Sequence, residues 1–260
     1  MKTAAIIQGR MTSSRLPGKV LADVAGMPLL GHVIRRTLAA DIFDTVLVAT
    51  STDPADDPIE RFCRGQGIGC FRGSLENVLE RYYQAALSVD AERITRLTAD
   101  CPLLDPAVIR TVVQAFDPAR YDYVSNALQR TYPDGLDTEV FSMAALTKAR
   151  NEATLPSEQE HVTPYIHKHP HLFRIGHVTQ EKNLSALRWT VDEPRDLAFV
   201  RTVFEKLGSG IFGQKEVLAL LETDPSLQKM NEGIACNEGY RKSLREDEAR
   251  MPAPDSRRAS

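Results

Sequence analysis

The chain has 260 residues, of which 42% are hydrophobic, so it can bury one sizeable core and lies at the upper edge of a single domain. Its formal charge of -3 at pH 7 excludes the strongly basic surface of a nucleic-acid-binding protein, and any polyanion that it binds should be small. The cysteines form no C-x-x-C pair and predict neither a zinc site nor a disulfide framework; they are Cys63, Cys70, Cys101 and Cys236.

The amino terminus and the apolar content predict where the protein resides. Met1 is followed almost at once by a strand-like run that is too short for the apolar region of a secretory signal. No apolar run has the length of a membrane span. We therefore expect a cytoplasmic protein that contacts neither a membrane nor a nucleic acid.

Short apolar runs alternate with amphipathic stretches of helical length through the first half of the chain. This alternation predicts an α/β fold with a mostly parallel sheet and flanking helices. The predicted strands are Ala4–Gln8, Val46–Thr50, Gly69–Phe71, Ile94–Leu97 and Tyr123–Ser125, and the predicted helices are Pro28–Ala39, Asp57–Gly65, Glu76–Leu87 and Pro106–Ala115.

The rhythm of strands and helices breaks after about Ala127, where residues 130–135 have the composition of a turn. We expect a small sub-domain over residues 128–178. Its helix should begin at Ser157, which has the spacing of a capping box with Glu160. The other predicted elements are the strands Thr138–Phe141, Leu172–Val178 and Leu187–Val191 and a helix Pro194–Leu207.

The chain is expected to divide into three segments. Residues 1–207 are expected to form the main domain, and residues 208–242 a helical extension. Residues 243–260 are rich in charge, proline and serine, so we expect a disordered tail there.

The loop after the first strand, from Gln8 to Lys19, is the segment that most clearly indicates a ligand. Ligands of open parallel sheets bind beyond the carboxyl ends of the strands, and this loop leaves such an end. Gly9 lets backbone amides approach phosphates, and Arg10, Arg15 and Lys19 can neutralise phosphate oxygens. The spacing matches neither a Walker loop nor G-x-G-x-x-G, which disfavours a P-loop ATPase and a dinucleotide dehydrogenase. From these residues alone, a solvated basic loop is an equally good interpretation.

Two carboxylates end predicted strands and could hold a divalent cation against phosphate oxygens. Asp100 follows the fourth predicted strand. Asp105, which precedes a proline, is predicted to be a helix N-cap instead. Asp192 ends a later strand, and a helix cap is its alternative because Pro194 opens a helix.

Two other segments give weaker indications. The loop from Thr50 to Asp53, which includes Ser51, follows the second strand and could contact a nucleotide base, with a plain turn as the alternative. His167, His169 and His171 alternate like metal ligands on a strand, but Pro170 interrupts them and we assign them no role.

Several motifs stand in order over about residues 4–207. They are Ile7 to Lys19 (IQGRMTSSRLPGK), Gly26 to Leu29, Thr98 to Leu103 (TADCPL), Thr131 to Asp137 (TYPDGLD), Glu160 to Thr163 (EHVT) and Arg188 to Asp192 (RWTVD). Together they resemble the CMP-sugar-acid synthetases, which include the acylneuraminate and ketodeoxyoctonate cytidylyltransferases. The resemblance is closest to the branch named for spore-coat polysaccharide biosynthesis.

This resemblance implies a Rossmann-like nucleotidyltransferase fold, close to the A-type glycosyltransferase fold, and a homodimer held by the middle segment. It implies Mg²⁺ or Mn²⁺ as cofactor, with Asp100 and Asp192 as metal ligands. Two carboxylates suffice for Mg²⁺, which also binds water and substrate phosphates. Arg72 and Gly73, after the third strand, resemble the base-proximal element of the family.

We expect residues 128–178 to supply both the acceptor pocket and the dimer contact, because their polar residues exceed the needs of an exposed hairpin. The alternatives are a turn at Asp134 and a cap at Glu160. The predicted substrate-binding residues are Asp134, Asp137, Glu160 and His161.

The resulting hypothesis is a cytidylyltransferase that transfers CMP from CTP to an oxygen of a sugar acid, polyol phosphate or related acceptor. Pyrophosphate is released, and the product serves surface polysaccharide or glycoconjugate synthesis. Positioning and charge neutralisation should supply most of the catalysis. The predicted catalytic residues are Arg15, Lys19, Asp100 and Asp192, and the predicted nucleotide-binding residues are Gln8, Gly9, Arg10, Ser51, Arg72 and Gly73.

Two alternatives to this hypothesis remain at the level of sequence. An A-type glycosyltransferase would use a preformed nucleotide sugar and release no pyrophosphate. A non-catalytic nucleotide-binding protein would consume no CTP.

Overall fold

Strands and helices alternate along residues 1–235 and 238–250, the part of the chain that the computed structural model describes. The strands are β1 Thr3–Gln8, β2 Asp23–Val24, β3 Met27–Pro28, β4 Thr45–Ser51, β5 Gly69–Gly73, β6 Arg93–Thr98, β7 Tyr123–Ser125, β8 Glu139–Ser142 and β9 Ile175–His177. The α-helices are α1 Leu29–Ala39, α2 Asp57–Gly65, α3 Val78–Ser88, α4 Pro106–Ala115, α5 Met143–Glu152, α6 Pro156–His161, α7 Pro164–Lys168, α8 Pro194–Leu207, α9 Gln214–Thr223 and α10 Glu238–Arg250.

Seven of these strands form one sheet in the order β5-β4-β1-β6-β8-β7-β9, and β2 and β3 form a separate two-stranded ribbon. Strand β8 runs antiparallel to both β6 and β7, whereas the other neighbouring strands of the sheet are parallel. The predicted mostly parallel sheet with flanking helices is therefore confirmed.

The strand order places a topological switch point between β1 and β6. From β1 the chain moves outward to β4 and β5, and it then returns to β6 on the other side of β1. The loops that leave β1 and β6 diverge there, which opens a crevice at the carboxyl edge of the sheet. Directly after the two strands the loops are still close together. Gly9 permits this approach, because a Cβ on it would lie 2.9 Å from Cβ of Ala99.

The core has two halves, one on each face of the sheet. Alternate residues of β1 point to opposite faces, with Ala5 and Ile7 on one and Ala4 and Ile6 on the other. The first face is covered by α1, α2, α4, α8 and α9, and the second by α3, α5 and α7. Both faces are thus buried, as the continuous apolar runs in the strands require.

The predicted elements of the first half agree closely with the structure. The predicted bounds of α2, α4 and β7 match, and the other strands and helices of this half differ by at most two residues at either end. Helix α3 begins at Val78 because the Asn77 side chain caps it, accepting a hydrogen bond from Glu80 N at 2.8 Å.

The sub-domain predicted over residues 128–178 was wrong as a separate unit. Strand β8 lies inside the main sheet between β6 and β7, and its residues Val140 and Phe141 are both buried. An antiparallel strand interrupts the strand-helix rhythm without leaving the sheet, which explains the error. The predicted strand Leu187–Val191 is also absent from the strands of the described chain, where Arg188 makes one isolated bridge to Asp134.

The capping box predicted for Ser157 and Glu160 was wrong by two residues. Helix α6 begins at Pro156, and the Glu158 carboxylate accepts hydrogen bonds from the backbone N–H groups of Thr154 and Leu155, both at 3.2 Å. Glu160 therefore does not cap α6.

The predicted disordered tail was wrong for residues 243–250, which form most of α10. Ser243 and Asp247 are buried where α10 packs on α6. The composition of this segment led to a prediction of disorder because most other residues of the helix are exposed and charged. Residues 251–260 of that prediction lie outside the described residues.

The segment predicted as a helical extension, residues 208–242, joins the main core. Phe212, Val217 and Leu221 are buried in the half of the core that also contains α8. Cys236 in this segment lies outside the described residues, whereas Cys63, Cys70 and Cys101 are free thiols.

Across residues 1–235 and 238–250, no helix combines the length and the apolar character needed to cross a membrane.

Asp105 caps two helices at once. One carboxylate oxygen accepts a hydrogen bond from Ala107 N at 2.7 Å, which confirms the predicted cap of α4. The other accepts from Gln214 N at 2.7 Å and so holds the start of α9. This single side chain therefore joins the carboxyl-terminal segment to the main core.

Asp105→Ala should lower the free energy of unfolding by about 2 kcal/mol or more, because each lost cap costs about 1 kcal/mol. Asn77→Ala, which removes the single cap of α3, is the matched control and should cost about 1 kcal/mol. Urea unfolding followed by circular dichroism measures both. Equal losses in the two variants would contradict the double cap.

Candidate active site

A cavity of about 830 Å³ opens at the carboxyl edge of the sheet, beyond the ends of β1 and β6. Its volume is typical of cavities that hold small-molecule ligands. It lies at the switch point of the sheet, where the two diverging loops form its floor. The lining contains most of the predicted site residues, namely Gln8, Gly9, Arg10, Arg15, Lys19, Asp100, Asp134, Asp137, Glu160, His161 and Asp192.

Three predicted nucleotide-binding residues do not line this cavity. Ser51 is fully buried, and its hydroxyl donates a hydrogen bond to Asp56. Arg72 donates to the backbone oxygen of Ser51 at 2.9 Å and pairs with Asp57 at 2.7 Å, so it ties β5 to α2. Gly73 ends β5, the edge strand two places away from β1. The switch point lies on the opposite side of β1, and a role of these three residues in nucleotide binding stays a prediction.

The centre of the cavity is a buried lysine between two carboxylates. The Lys19 ammonium lies 2.7 Å from Asp100 Oδ2 and 2.8 Å from Asp192 Oδ1, and it donates to the backbone oxygen of Val191 at 2.7 Å. The Lys19 side chain is only 8% exposed. Burial disfavours its charge, but the two carboxylates outweigh burial and raise its pKa. Burial likewise opposes the charge of Asp100, yet Lys19 holds the pKa of that carboxyl below its usual value.

Asp192 is held in position by a second buried ion pair. Its other oxygen, Oδ2, accepts from Arg188 at 2.8 Å, and Arg188 also pairs with Asp196 at 2.9 Å. Asp196, which is fully buried, caps α8 by accepting from the backbone N–H groups of Asp192 and Glu193 at 2.9 and 3.0 Å. The alternative that Asp192 is the helix cap was therefore wrong, because Asp196 has that role.

The two arginines of the loop after β1 pair with carboxylates of different elements around the cavity. Arg15 pairs with Asp192 at 2.9 Å and with Glu238 of α10 at 3.0 Å. Arg10 reaches Glu160 at 3.5 Å. The loop thus connects the central carboxylates with both α6 and α10.

The oxygen atoms around Lys19 suit a hard divalent cation. Asp100 and Asp192 both direct one carboxylate oxygen at a positively charged group. Mg²⁺ commonly takes one or two protein carboxylates and completes its shell with water and substrate phosphates. In the described part of the chain, no cluster of three or more His, Cys, Asp or Glu side chains could bind a metal alone. A metal held here by Asp100 and Asp192 would complete its shell with water or substrate oxygens.

An ion pair on the cavity floor was missed by the sequence analysis. Arg96 and Glu139 occupy paired positions on β6 and β8, and their side chains form a buried ion pair. Glu139 Oε1 also accepts hydrogen bonds from Tyr123 and Thr163, both at 2.6 Å. Burial raises the pKa of Glu139, but Arg96 outweighs burial and the net shift is downward. A charged residue inside each of two predicted strands, Ile94–Leu97 and Thr138–Phe141, was the signal that could have revealed this pair.

The turn at Asp134 faces the cavity from another side. Arg130 pairs with Asp137 at 2.6 Å and with Asp134 at 3.4 Å. Burial raises the pKa of Asp137 to about 6, despite the opposing effect of Arg130. Gly135 is required in this turn, because its φ is 112° and a Cβ on it would lie 2.6 Å from Thr190 N.

A strained turn joins α6 to α7 and aims side chains into the cavity. Val162 is buried with φ 72° and ψ -55°, and Thr163 N donates to the backbone oxygen of His161 at 2.8 Å. This is the geometry of a γ-turn, which is strained for a β-branched residue. Glu160, His161 and Thr163, which flank Val162, all line the cavity.

Helix α10 closes one side of the cavity through Ser243. The Ser243 hydroxyl donates to Glu160 Oε2 at 2.5 Å and lies 3.1 Å from His161 Nε2. Tyr240 packs edge-on against the His161 ring, with 5.0 Å between centroids. Neither contact was expected, because α10 falls mainly in the segment predicted to be disordered.

Known proteins share the sequence pattern and the fold of this chain. Residues 4–222 match a family model described as cytidylyltransferase. The spore coat polysaccharide biosynthesis protein SpsF of Bacillus subtilis is 35% identical over 230 residues, which cover 85% of this chain and 94% of that protein.

Two solved structures extend the comparison to the fold. A cytidylyltransferase from Leptospira borgpetersenii is 30% identical with a TM-score of 0.86, and the match covers 90% of this chain and 99% of that one. A CMP:2-keto-3-deoxy-manno-octonic acid synthetase complexed with CTP has a TM-score of 0.62 at 21% identity, covering 80% of this chain and 100% of that one. The second likeness supports the fold alone.

His161→Gln should make the protein less sensitive to acid. Burial lowers the pKa of His161 to about 4 from a usual value of 6.5, so between these values the unfolded chain binds a proton that the folded protein does not. The contribution of His161 to stability is therefore lost as the pH falls from about 6.5 to about 4.

The measurement is the free energy of unfolding at pH 7.0 and at pH 4.5. The loss between the two values should be smaller in His161→Gln than in the wild type, and His171→Gln, at an exposed position, should leave it unchanged. An identical loss in His161→Gln and the wild type would contradict a buried neutral imidazole.

Proposed function

This chain belongs to the cytidylyltransferase family, and on that premise we propose that it transfers CMP from CTP to an oxygen of a small acidic or sugar-like acceptor. The chain is a CTP-dependent nucleotidyltransferase. The observation that supports this site for the reaction is the pair Asp100 and Asp192 converging on Lys19, beside the cationic loop after β1. This arrangement offers carboxylate oxygens for a metal and cations for a triphosphate in one cavity.

In the proposed reaction, an acceptor oxygen attacks the α-phosphorus of CTP. A bond forms between this oxygen and the α-phosphorus, and the bond to the β-phosphate oxygen breaks, so that its electron pair leaves with pyrophosphate. An ionised phosphate or phosphonate acceptor has no proton to lose. A hydroxyl acceptor loses its proton to solvent, and no side chain is assigned as its general base.

Arg15 and Lys19 would bind the β- and γ-phosphates and stabilise the charge of the leaving pyrophosphate. Both are held as cations close to Asp192. Asp100 and Asp192 would hold Mg²⁺ or Mn²⁺, which supplies further neutralisation of the phosphate charge. Fixed charges of this kind act mainly by positioning and by electrostatic stabilisation of the transition state.

The acceptor would occupy the side of the cavity lined by the Asp134 turn and the α6–α7 junction. Asp134, Asp137, Glu160 and His161 offer hydrogen-bonding groups there. The similarity to SpsF, a spore coat polysaccharide biosynthesis protein, supports a role in surface polysaccharide or glycoconjugate precursor synthesis. The motifs shared with the CMP-sugar-acid synthetases support an acceptor of the sugar-acid type.

The homodimer and the cytoplasmic location stay predictions. Light scattering at micromolar concentration would test the first, and a monomer would contradict it. Fractionation of cells that express the protein would test the second.

The reaction itself is tested by a pyrophosphate-release screen of CTP against sugar acids, polyol phosphates, sugar phosphates and phosphonates. Release that requires both CTP and one acceptor class, together with a CMP conjugate seen by mass spectrometry, is the expected result. Acceptor-dependent consumption of a preformed nucleotide sugar without pyrophosphate release, or no acceptor-dependent release from CTP in any class, would contradict the proposal.

Asp100→Asn and Asp192→Asn should each reduce metal-dependent turnover a hundredfold or more, since losing a key electrostatic contact commonly has an effect of about that size. Asp122→Asn, which removes a carboxylate paired with Arg174 outside the cavity lining, is the control and should keep normal turnover. Steady-state kinetics on variants with native circular dichroism spectra measures the effect. Near-normal turnover in either active-site variant would refute its assignment.

Lys19→Met should weaken binding of CTP far more than binding of CMP, because the ammonium is expected to contact the β- and γ-phosphates that CMP lacks. Calorimetric titration with each nucleotide measures the two dissociation constants. Equal weakening would show that Lys19 does not distinguish the triphosphate.

A further inference from the structure

Helix α10 forms one wall of the cavity although it lies beyond the residues that match the family model, which end at residue 222. It is fixed at both ends. Glu238 pairs with Arg15 at 3.0 Å, and Asp247 accepts a hydrogen bond from Ser157 N at 2.9 Å at the start of α6. Between them, Ser243 contacts Glu160. These contacts determine which side of α10 faces the cavity.

The side of α10 that faces the cavity is strongly cationic. Arg241, Lys242 and Arg245 line the cavity, whereas Arg250 near the end of the same helix does not. Arg241 and Arg245 are four residues apart, so they lie on the same side of the helix. The helix therefore presents neighbouring guanidinium groups to whatever occupies this part of the cavity.

These cations differ from those deeper in the cavity in having no strong carboxylate partner. Lys19 and Arg96 are paired with buried or half-buried carboxylates. In residues 1–235 and 238–250, by contrast, no ion pair engages Arg241 or Arg245, and Lys242 has one exposed pair with Glu246 at 3.7 Å. Exposed pairs of this kind contribute little. An anion on a ligand can thus bind these groups without displacing a protein carboxylate.

Arg245 lies at a distance along α10 from the loop that is expected to bind the triphosphate. That loop contacts α10 at Glu238, through Arg15. Arg245 is seven residues further along, and a rise of about 1.5 Å per residue gives about 10 Å along the helix axis. An anionic group at Arg245 is therefore better explained by the acceptor than by the phosphates of CTP.

We propose that Arg241, Lys242 and Arg245 form an anion-binding subsite that holds a phosphate or carboxylate group of the acceptor. This inference rests on the proposed function and adds to it specificity residues from outside the region matched by the family model. Arginine suits this role because its planar guanidinium binds phosphate and carboxylate oxygens in a bidentate manner.

A binding experiment tests the subsite without turnover. The full-length protein is first titrated with CTP in the absence of divalent metal, and the CTP-saturated protein is then titrated with inorganic phosphate. The wild type should bind phosphate, and the double variant R241Q/R245Q should bind it at least tenfold more weakly. The control R250Q, on the same helix but outside the cavity lining, should bind phosphate as the wild type does.

The CTP titration distinguishes failure of this inference from failure of the proposed function. No binding of CTP, either without metal or after Mg²⁺ is added, would count against the proposed function. Normal binding of CTP with no phosphate binding to the wild type, or with equal phosphate binding in the wild type and R241Q/R245Q, would overturn the subsite. A loss of CTP affinity in R241Q/R245Q as large as the loss of phosphate affinity would also overturn it, because the cations would then serve the nucleotide.

Kinetics with an acidic acceptor that supports pyrophosphate release gives a second readout. R241Q/R245Q should raise the KM for that acceptor at least tenfold, while the KM for CTP changes less than twofold. Both arginines are exposed, so the melting temperature should stay close to that of the wild type. An unchanged acceptor KM would contradict the inference even if phosphate binding were lost.

Discussion

The cavity depends on one electrostatic constraint, the convergence of Asp100 and Asp192 on a single buried cation. The three residues belong to distant parts of the chain: the loop after β1, the loop after β6 and the segment before α8. Two carboxylates cannot remain ionised side by side in a buried site without a positive charge between them. Lys19 supplies that charge and so holds the two carboxylates together.

The remaining structure supports this arrangement. Arg188 holds the second oxygen of Asp192, and Asp196 fixes Arg188 while it caps α8, so a helix start and a site carboxylate are positioned together. The Arg96–Glu139 pair likewise brings opposite charges together among the residues that line the cavity. Removing one partner of such a buried pair commonly costs about 3–5 kcal/mol, because the other charge is left uncompensated. Paired charges therefore hold the centre of the site together, and α10 adds one wall of the cavity.

The sequence was sufficient for the parallel half of the sheet and for much of the cavity lining, because both follow from local patterns. Strand-helix alternation predicted the sheet, and the loop after β1 was predicted from its place at a strand end. Strand β8 could not be assigned to the sheet, because pairing with β6 and β7 depends on contacts far apart in sequence. Helix α10 was missed for a related reason. Its few buried residues, Ser243 and Asp247, are polar, so they give no apolar pattern, and their burial depends on hydrogen bonds to α6.

The central claim is that the carboxylates around Lys19 form the metal site of a CTP-dependent transferase. Anomalous diffraction from crystals grown with CTP and Mn²⁺ tests it most directly. The account predicts a manganese peak bonded to both Asp100 and Asp192, with the Lys19 ammonium moved from between them to phosphate oxygens. A manganese peak elsewhere, or Lys19 still bridging the two carboxylates in the presence of bound CTP and metal, would contradict it.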